Sequence, residues 1–186
     1  MSSTQPTPET MIPHGLHHIA YATRDSKATY DFYHNKLGMP LCLTENHRHG
    51  DGYFRHFFFD MGQGELLGFF EVHGVGEKED FRTEINATLG LPPWINHIAF
   101  DVENEEAYQK VKNRIKESGI RVAMEVDHGW CKSIYVIDPN GITLEYSYNV
   151  TPAEKVIQSH EEAYRLLFEL PADQIGAETE KARIKQ

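Results

Sequence analysis

Two decapeptides, LHHIAYATRD starting at Leu16 and INHIAFDVEN starting at Ile95, share the word His-Ile-Ala-aromatic, and His97 follows His18 at an interval of 79 residues. A chain that repeats such a word at module length is constrained to fold as two similar halves. Each copy is a β-branched and aromatic run that closes on acidic or small polar residues, the pattern of a strand leading into a helix start. After the first copy, Asp25 or Ser26 can cap SKATYDFYHNKL, whose apolar residues Ala28, Tyr30, Phe32 and Leu37 fit a helix imperfectly, and Gly38 stops it. After the second, Asn104 can cap EEAYQKVKNRIKES, where Ala107, Tyr108, Val111 and Ile115 line one face and Gly119 stops it. Behind each helix come aromatic and β-branched runs broken by turn signals: Gly52 and Gly62 to Gly64 in the first half, Asp138-Pro139-Asn140-Gly141 in the second. The expected class is α+β, two tandem βαβββ modules and a C-terminal helix.

The ends differ from this middle. Residues 1–14 are rich in Ser, Thr, Gln and Pro and read as a flexible tail; the paired modules occupy about 15–91 and 92–150, and 151–186 form a C-terminal helix and tail. Within the last segment, Ala153, Val156, Ile157, His160, Tyr164, Leu167 and Phe168 recur at three and four, predicting one amphipathic helix over 152–170. Pro152 would stand at its first position and Thr151 and Glu154 would form its capping box. It would pack on the modules or on a second subunit.

Charge and composition exclude several partners. With 18 basic and 28 acidic residues the chain carries −10, its signs interspersed, so no basic face offers itself to nucleic acid or to an anionic membrane. No apolar run approaches the ~20 residues that span a bilayer, and the N-terminus lacks the basic and apolar regions of a signal peptide. Two cysteines, Cys42 and Cys131, are too few for a disulfide framework. A cytoplasmic protein is expected, with Cys131 a small core filler.

Eleven histidines direct attention to metal or proton chemistry. His18 and His97 hold the same slot in the repeat, and each module ends in a strand with an acid among apolar residues, Glu71 in LLGFFEV and Glu145 in ITLEYSY. The intervals are 53 residues from His18 to Glu71 and 48 from His97 to Glu145. Imidazole and carboxylate together suit a divalent metal, and a buried acid without a partner is costly. Taken singly, each could instead be a strand residue with ordinary hydrogen bonds. Because strand neighbours point to opposite faces, His17 and His18 cannot both face one site; the second repeat, with Asn96 before His97, selects His18 and leaves His17 to packing or to a supporting place behind it.

The double βαβββ pattern with these four residues resembles the vicinal oxygen chelate superfamily, which includes glyoxalase I, extradiol ring-cleaving dioxygenases, methylmalonyl-CoA epimerase and fosfomycin and bleomycin resistance proteins. The resemblance covers residues 15–149 and implies a cupped mixed sheet around one metal. The stretch VDHGWCKSIYVIDPNGITLE is similar to the signature of type I extradiol dioxygenases. That similarity implies Glu145, His18 and His97 as metal ligands, His128 and Tyr135 as catalytic residues beside the substrate, and Fe(II) as the favoured metal, with Mn, Ni, Zn or Co as alternatives. It also implies a further active-site histidine, for which His56 and His73 are candidates. Glu71 as a possible fourth ligand would instead match the glyoxalase and epimerase arrangement, a lyase or isomerase. A drug-sequestering binding protein is a further alternative.

The expected substrate is a small aromatic molecule. Phe54, Phe57, Phe59, Phe69 and Phe70 could wall its pocket, and Arg48, Arg55 or Lys132 could hold an anionic group on it. Sheet edges and the extra helix leave apolar surface to cover, which predicts a homodimer.

Overall fold

The computed structural model describes residues 13–175. Residues 1–12 of the expected tail and the charged end after Ile175 lie outside the described residues. The chain divides between Thr83 and Glu84 into two compact units, each built on a four-stranded mixed sheet. The expected tandem βαβββ order is present in both.

In the first unit, β1 (His18–Thr23) leads into α1 (Ser26–Tyr30), which continues as a π-helical segment, Asp31–Lys36, before β2 (Leu41–His49), β3 (Gly52–Gly62) and β4 (Glu65–His73). Strand order is β1-β4-β3-β2, with β1 parallel to β4 and the other pairs antiparallel. The imperfect helical period of this stretch has a structural cause. The wider turn, marked by Leu37 N donating to Phe32 O at 3.0 Å, lets the consecutive residues Phe32 and Tyr33 both be buried. Tyr33 stacks on Phe59 at 5.2 Å and meets Phe69 at 5.1 Å between ring centroids. Asp25 supplies the cap, its Oδ1 accepting from Ala28 N at 2.8 Å, and Gly38 ends the segment at φ 85°.

In the second unit, a short α2 (Ile85–Thr88) precedes β5 (His97–Asp101), α3 (Glu105–Glu117), β6 (Val122–Asp127), β7 (Cys131–Ile137) and β8 (Thr143–Asn149). The strand order β5-β8-β7-β6, with β5 parallel to β8, repeats that of the first unit. Asn104 caps α3 through Oδ1, accepting from Ala107 N at 3.0 Å. Tyr108 and Ile115 of α3 are buried, and Tyr108 meets Tyr148 of β8 at 5.0 Å between centroids. The turn from β7 to β8 is held by Asp138, whose Oδ1 accepts from Asn140 N and from Ile142 N, each at 2.8 Å.

The single helix expected over 152–170 is broken. Two helices stand there, α4 (Ala153–Val156) and α5 (His160–Phe168), because Ile157 leaves the helical region at ψ 123° and Ser159 caps a fresh start, its Oγ accepting from Glu162 N at 3.2 Å. Pro152 occupies the cap position of α4, not the first helical one. Ile157, Leu167 and Phe168 stay 76%, 73% and 67% exposed, so packing on the modules does not cover them. No helix among the described residues is long and apolar enough to cross a membrane.

Candidate functional site

Residues paired across a sheet share a face, and alternate residues along a strand return to it. In the second unit His97 pairs with Thr143, Ala99 with Glu145, and Glu145 with Tyr135. One face therefore carries His97, Glu145 and Tyr135, opposite the face on which α3 packs. His97 Nε2 lies 3.0 Å from Glu145 Oε2, and His128 Nε2 lies 3.1 Å from the Tyr135 hydroxyl. Burial, then the hydrogen bond and charge of Glu145, push the Tyr135 phenol up to about 12. The four residues thus form one polar line, His97–Glu145–Tyr135–His128, with Glu145 and Tyr135 each 5% exposed.

The tautomer of His97 gives this line its chemistry. Its Nδ1 is 2.9 Å from Trp94 O, and a carbonyl only accepts, so Nδ1 carries a hydrogen and Nε2 is the nitrogen turned to the carboxylate. Two acceptors at 3.0 Å require a proton or a cation between them. The donor types and the ring orientation fit a divalent metal. The loop that supplies Trp94 O is fixed by buried Asn86, whose Nδ2 donates to Pro93 O at 2.7 Å and Asn96 O at 2.9 Å, and by Thr143 Oγ1, which also reaches Pro93 O at 2.7 Å. Neither Asn86 nor Trp94 stands out in the sequence, since their roles run through backbone carbonyls.

In the first unit His18 opens β1 as His97 opens β5, and its Nδ1 is 2.8 Å from His17 Nδ1. Glu71 does not join it. His18 pairs with Leu66 and Thr23 with Glu71, so Glu71 stands five positions along β4, an odd offset that turns it to the opposite face. There it accepts from Ser26 Oγ, from Arg55 Nη1 at 3.1 Å and from His73 Nε2 at 2.8 Å. Burial pushes the Glu71 carboxyl up, but the bonds from Ser26, His73 and Arg55 outweigh it and hold the group below its ordinary value. The assignment of Glu71 as a fourth ligand is therefore corrected. The position matching Glu145, two residues beyond the partner of the repeat histidine, is Gly68.

Glu71→Gln is accordingly expected to cost about 1–3 kcal/mol of stability, the range for losing bonds to a charged group, while leaving metal affinity unchanged. Because its folded pKa is lowered, Glu71's contribution is complete above the ordinary carboxylate range and is lost as pH falls through the lowered value. Melting curves from neutral to acid pH should thus fall more steeply for the wild type than for the variant.

Register also sorts the other candidates. His56 shares the face of His18, stacked on Phe70 at 3.6 Å between centroids, whereas His73 lies on the opposite face, stacked on Tyr53 at 4.5 Å. Phe54, Phe58 and Phe70 share the His18 face, while Phe57, Phe59 and Phe69 lie on the helix side. Arg48 and Arg55 are on the helix side of their sheet and Lys132 is on that of the second, so none accompanies the repeat histidines. Cys131 is buried, as expected of a filler. Among the described residues no group of three or more His, Cys, Asp or Glu stands close enough to hold a metal ion; the structure brings together His97 and Glu145, while His18 belongs to the other unit.

A sequence model of the Glyoxalase/Bleomycin resistance protein/Dioxygenase superfamily matches residues 15–146. Among solved structures, the fosfomycin resistance protein FosX of Listeria monocytogenes is similar at 22% identity and TM-score 0.54, over 78% of this chain and 100% of that one. A glyoxalase/bleomycin resistance protein/dioxygenase from Alicyclobacillus acidocaldarius aligns at 19% identity and TM-score 0.51, over 80% of this chain and 100% of that one. The lactoylglutathione lyase of Agrobacterium tumefaciens aligns at 19% identity and TM-score 0.50, over 73% and 94%. At these identities the structural likeness shows the fold alone.

Proposed function

The chain belongs to the glyoxalase/bleomycin resistance protein/dioxygenase superfamily, and we propose that within it this protein is a metal-dependent oxygenase of the extradiol type, cleaving a small catecholic ring. The observation that carries this reading is the polar line His97–Glu145–Tyr135–His128 on one face of the second sheet. His97 and Glu145 are the proposed metal ligands, and the internal repeat nominates His18 as the third. Gly68 in place of a second carboxylate supports a two-histidine, one-carboxylate set, which favours Fe(II). It also disfavours the four-ligand lyase or isomerase alternative.

Iron held there would supply the electron exchange that lets a catecholate react with oxygen. The chain's own residues have separate tasks. His97 is held in orientation by Trp94 O, so its Nε2 faces the ligand position. Tyr135 keeps its proton at neutral pH, because burial and Glu145 push the phenol up to about 12, and its hydroxyl could serve a substrate oxygen only by turning that proton away from Glu145. His128, against that hydroxyl, is the group able to take a proton from a substrate hydroxyl or return it.

The deciding experiment is anaerobic reconstitution with Fe(II), then oxygen-electrode and absorbance assays over a panel of catechols. Oxygen uptake with yellow ring-fission product is expected. No uptake with any catechol, together with isomerisation of a hemithioacetal or proton exchange in a 2-oxo thioester by the nickel or zinc form, would transfer the protein to the lyase and isomerase reading. Purified protein without any bound metal would favour a sequestering role.

We also propose a homodimer. The exposed Tyr164, Leu167 and Phe168 of α5 support it, being apolar surface that a second copy could cover. Light scattering at micromolar concentration should report twice the mass of the chain; a monomer would remove the idea. Both described cysteines are free thiols, which suits the proposed cytoplasmic setting.

A further inference from the structure

Two buried or half-buried serines stand behind Glu145 on the same face of the second sheet, and none of the roles proposed above uses them. Ser147 lies two residues along β8 from Glu145, and Ser133 is its cross-strand partner on β7. Ser147 Oγ donates to Glu145 Oε1 at 3.3 Å, the Ser133 and Ser147 hydroxyl oxygens are 2.9 Å apart, and Cys131 Sγ is 3.9 Å from Ser133 Oγ. Ser133 is fully buried, a polar residue followed on its strand by Ile134, Tyr135 and Val136.

Proton counting gives this row a direction. An ionised carboxylate only accepts, so the single hydroxyl proton of Ser147 goes to Glu145. The contact at 2.9 Å can then be satisfied only by Ser133 donating to Ser147. Ser133 Oγ is left as an acceptor, with the Tyr135 hydroxyl and the Cys131 thiol as its neighbours. Donation thus runs one way, from Ser133 through Ser147 to Oε1. The other carboxylate oxygen, Oε2, is the one that faces His97 Nε2.

We propose that Ser147, backed by Ser133, is a positioning residue that holds Glu145 Oε1 away from the metal position, so that the carboxylate presents Oε2 alone beside His97. The proposal rests on the reading of Glu145 as a metal ligand. A carboxylate free to turn would offer both oxygens to the metal and take up a coordination position needed by substrate or oxygen. Fixing one oxygen by a charged hydrogen bond keeps that position open.

The test uses the full-length metal-free protein with Co(II) as probe, read by chelator competition and by the visible absorption of the bound ion. Ser147→Ala is expected to change Co(II) affinity by about 10- to 100-fold, the range for losing a residue behind a ligand, and to alter the visible spectrum as the carboxylate turns. Ser147→Thr, which keeps the hydroxyl, should restore both. Ser133→Ala should shift the spectrum in the same sense by less. Wild-type affinity and spectrum in Ser147→Ala would overturn the proposal, while Glu145→Gln binding Co(II) as the wild type does would overturn the metal reading beneath it. If Ser147→Ala does not fold, Ser133→Ala decides, and an unchanged spectrum there counts against the relay.

Discussion

Replacing Glu145 with alanine should remove tightly bound divalent metal and turnover together. The carboxylate is 5% exposed, and its Oε2 lies 3.0 Å from His97 Nε2. Loss of a residue that only supports a ligand typically costs about 10- to 100-fold in affinity, so loss of the ligand itself should exceed the upper figure. The metal-free variant should meanwhile fold with a stability close to that of metal-free wild type. Removing the carboxylate relieves its desolvation, and that gain offsets the bonds it accepts from Ser147 and Tyr135. Metal analysis and melting curves with and without metal check both halves. Retained affinity, or a variant that unfolds, would mark Glu145 as a structural residue.

The second large effect is expected at His128. Phenylalanine there should lower turnover by about 10²–10⁴, the usual contribution of a positioned acid or base, while leaving metal content unchanged. His128 touches the Tyr135 hydroxyl, and its backbone N–H donates to Cys131 O at 2.9 Å whatever the side chain is, so the hairpin survives the substitution. Tyr135→Phe should give a smaller loss, since it removes a donor without removing the group that exchanges the proton. Equal turnover in His128→Phe and wild type would leave the polar line without a catalytic end.

What could be read from the sequence was what local chemistry decides. Asp25 and Asn104 cap their helices through the predicted side chains, Gly38 and Gly119 end them with positive φ, and Asp138 closes its turn. Glu71 was misleading because strand register is not local. Its interval from His18 is 53 residues against 48 in the second module, and that odd difference of five turns the side chain to the other face. A signal existed in the turn glycines. Gly64 precedes Gly68 by four residues, as Gly141 precedes Glu145 by four, and aligning GELLG with GITLE places the glycine where the second module has its acid. The break at Ile157 was hidden for a different reason. Apolar spacing at three and four runs through it unbroken, but Ser159 competes for the backbone as a cap. Asn86 and the Trp94 carbonyl carry no sequence pattern at all, since any residue supplies a carbonyl and only the fold says which one His97 meets.

Gly68 bears on the history open to this chain. A Cβ there would come within 3.0 Å of the Phe58 ring and 3.1 Å of His56 Nε2, tight contacts with two side chains that are themselves packed against each other at 4.0 Å between centroids. Phe58 and His56 fill the room beside this glycine. Gly68→Glu by itself would thus meet a steric barrier, and an ancestor bearing an acid at this position would have needed smaller neighbours. A second carboxylate at this position would therefore need Phe58 and His56 to change along with it, so the symmetry of the two folds does not extend to an interchangeable set of side chains.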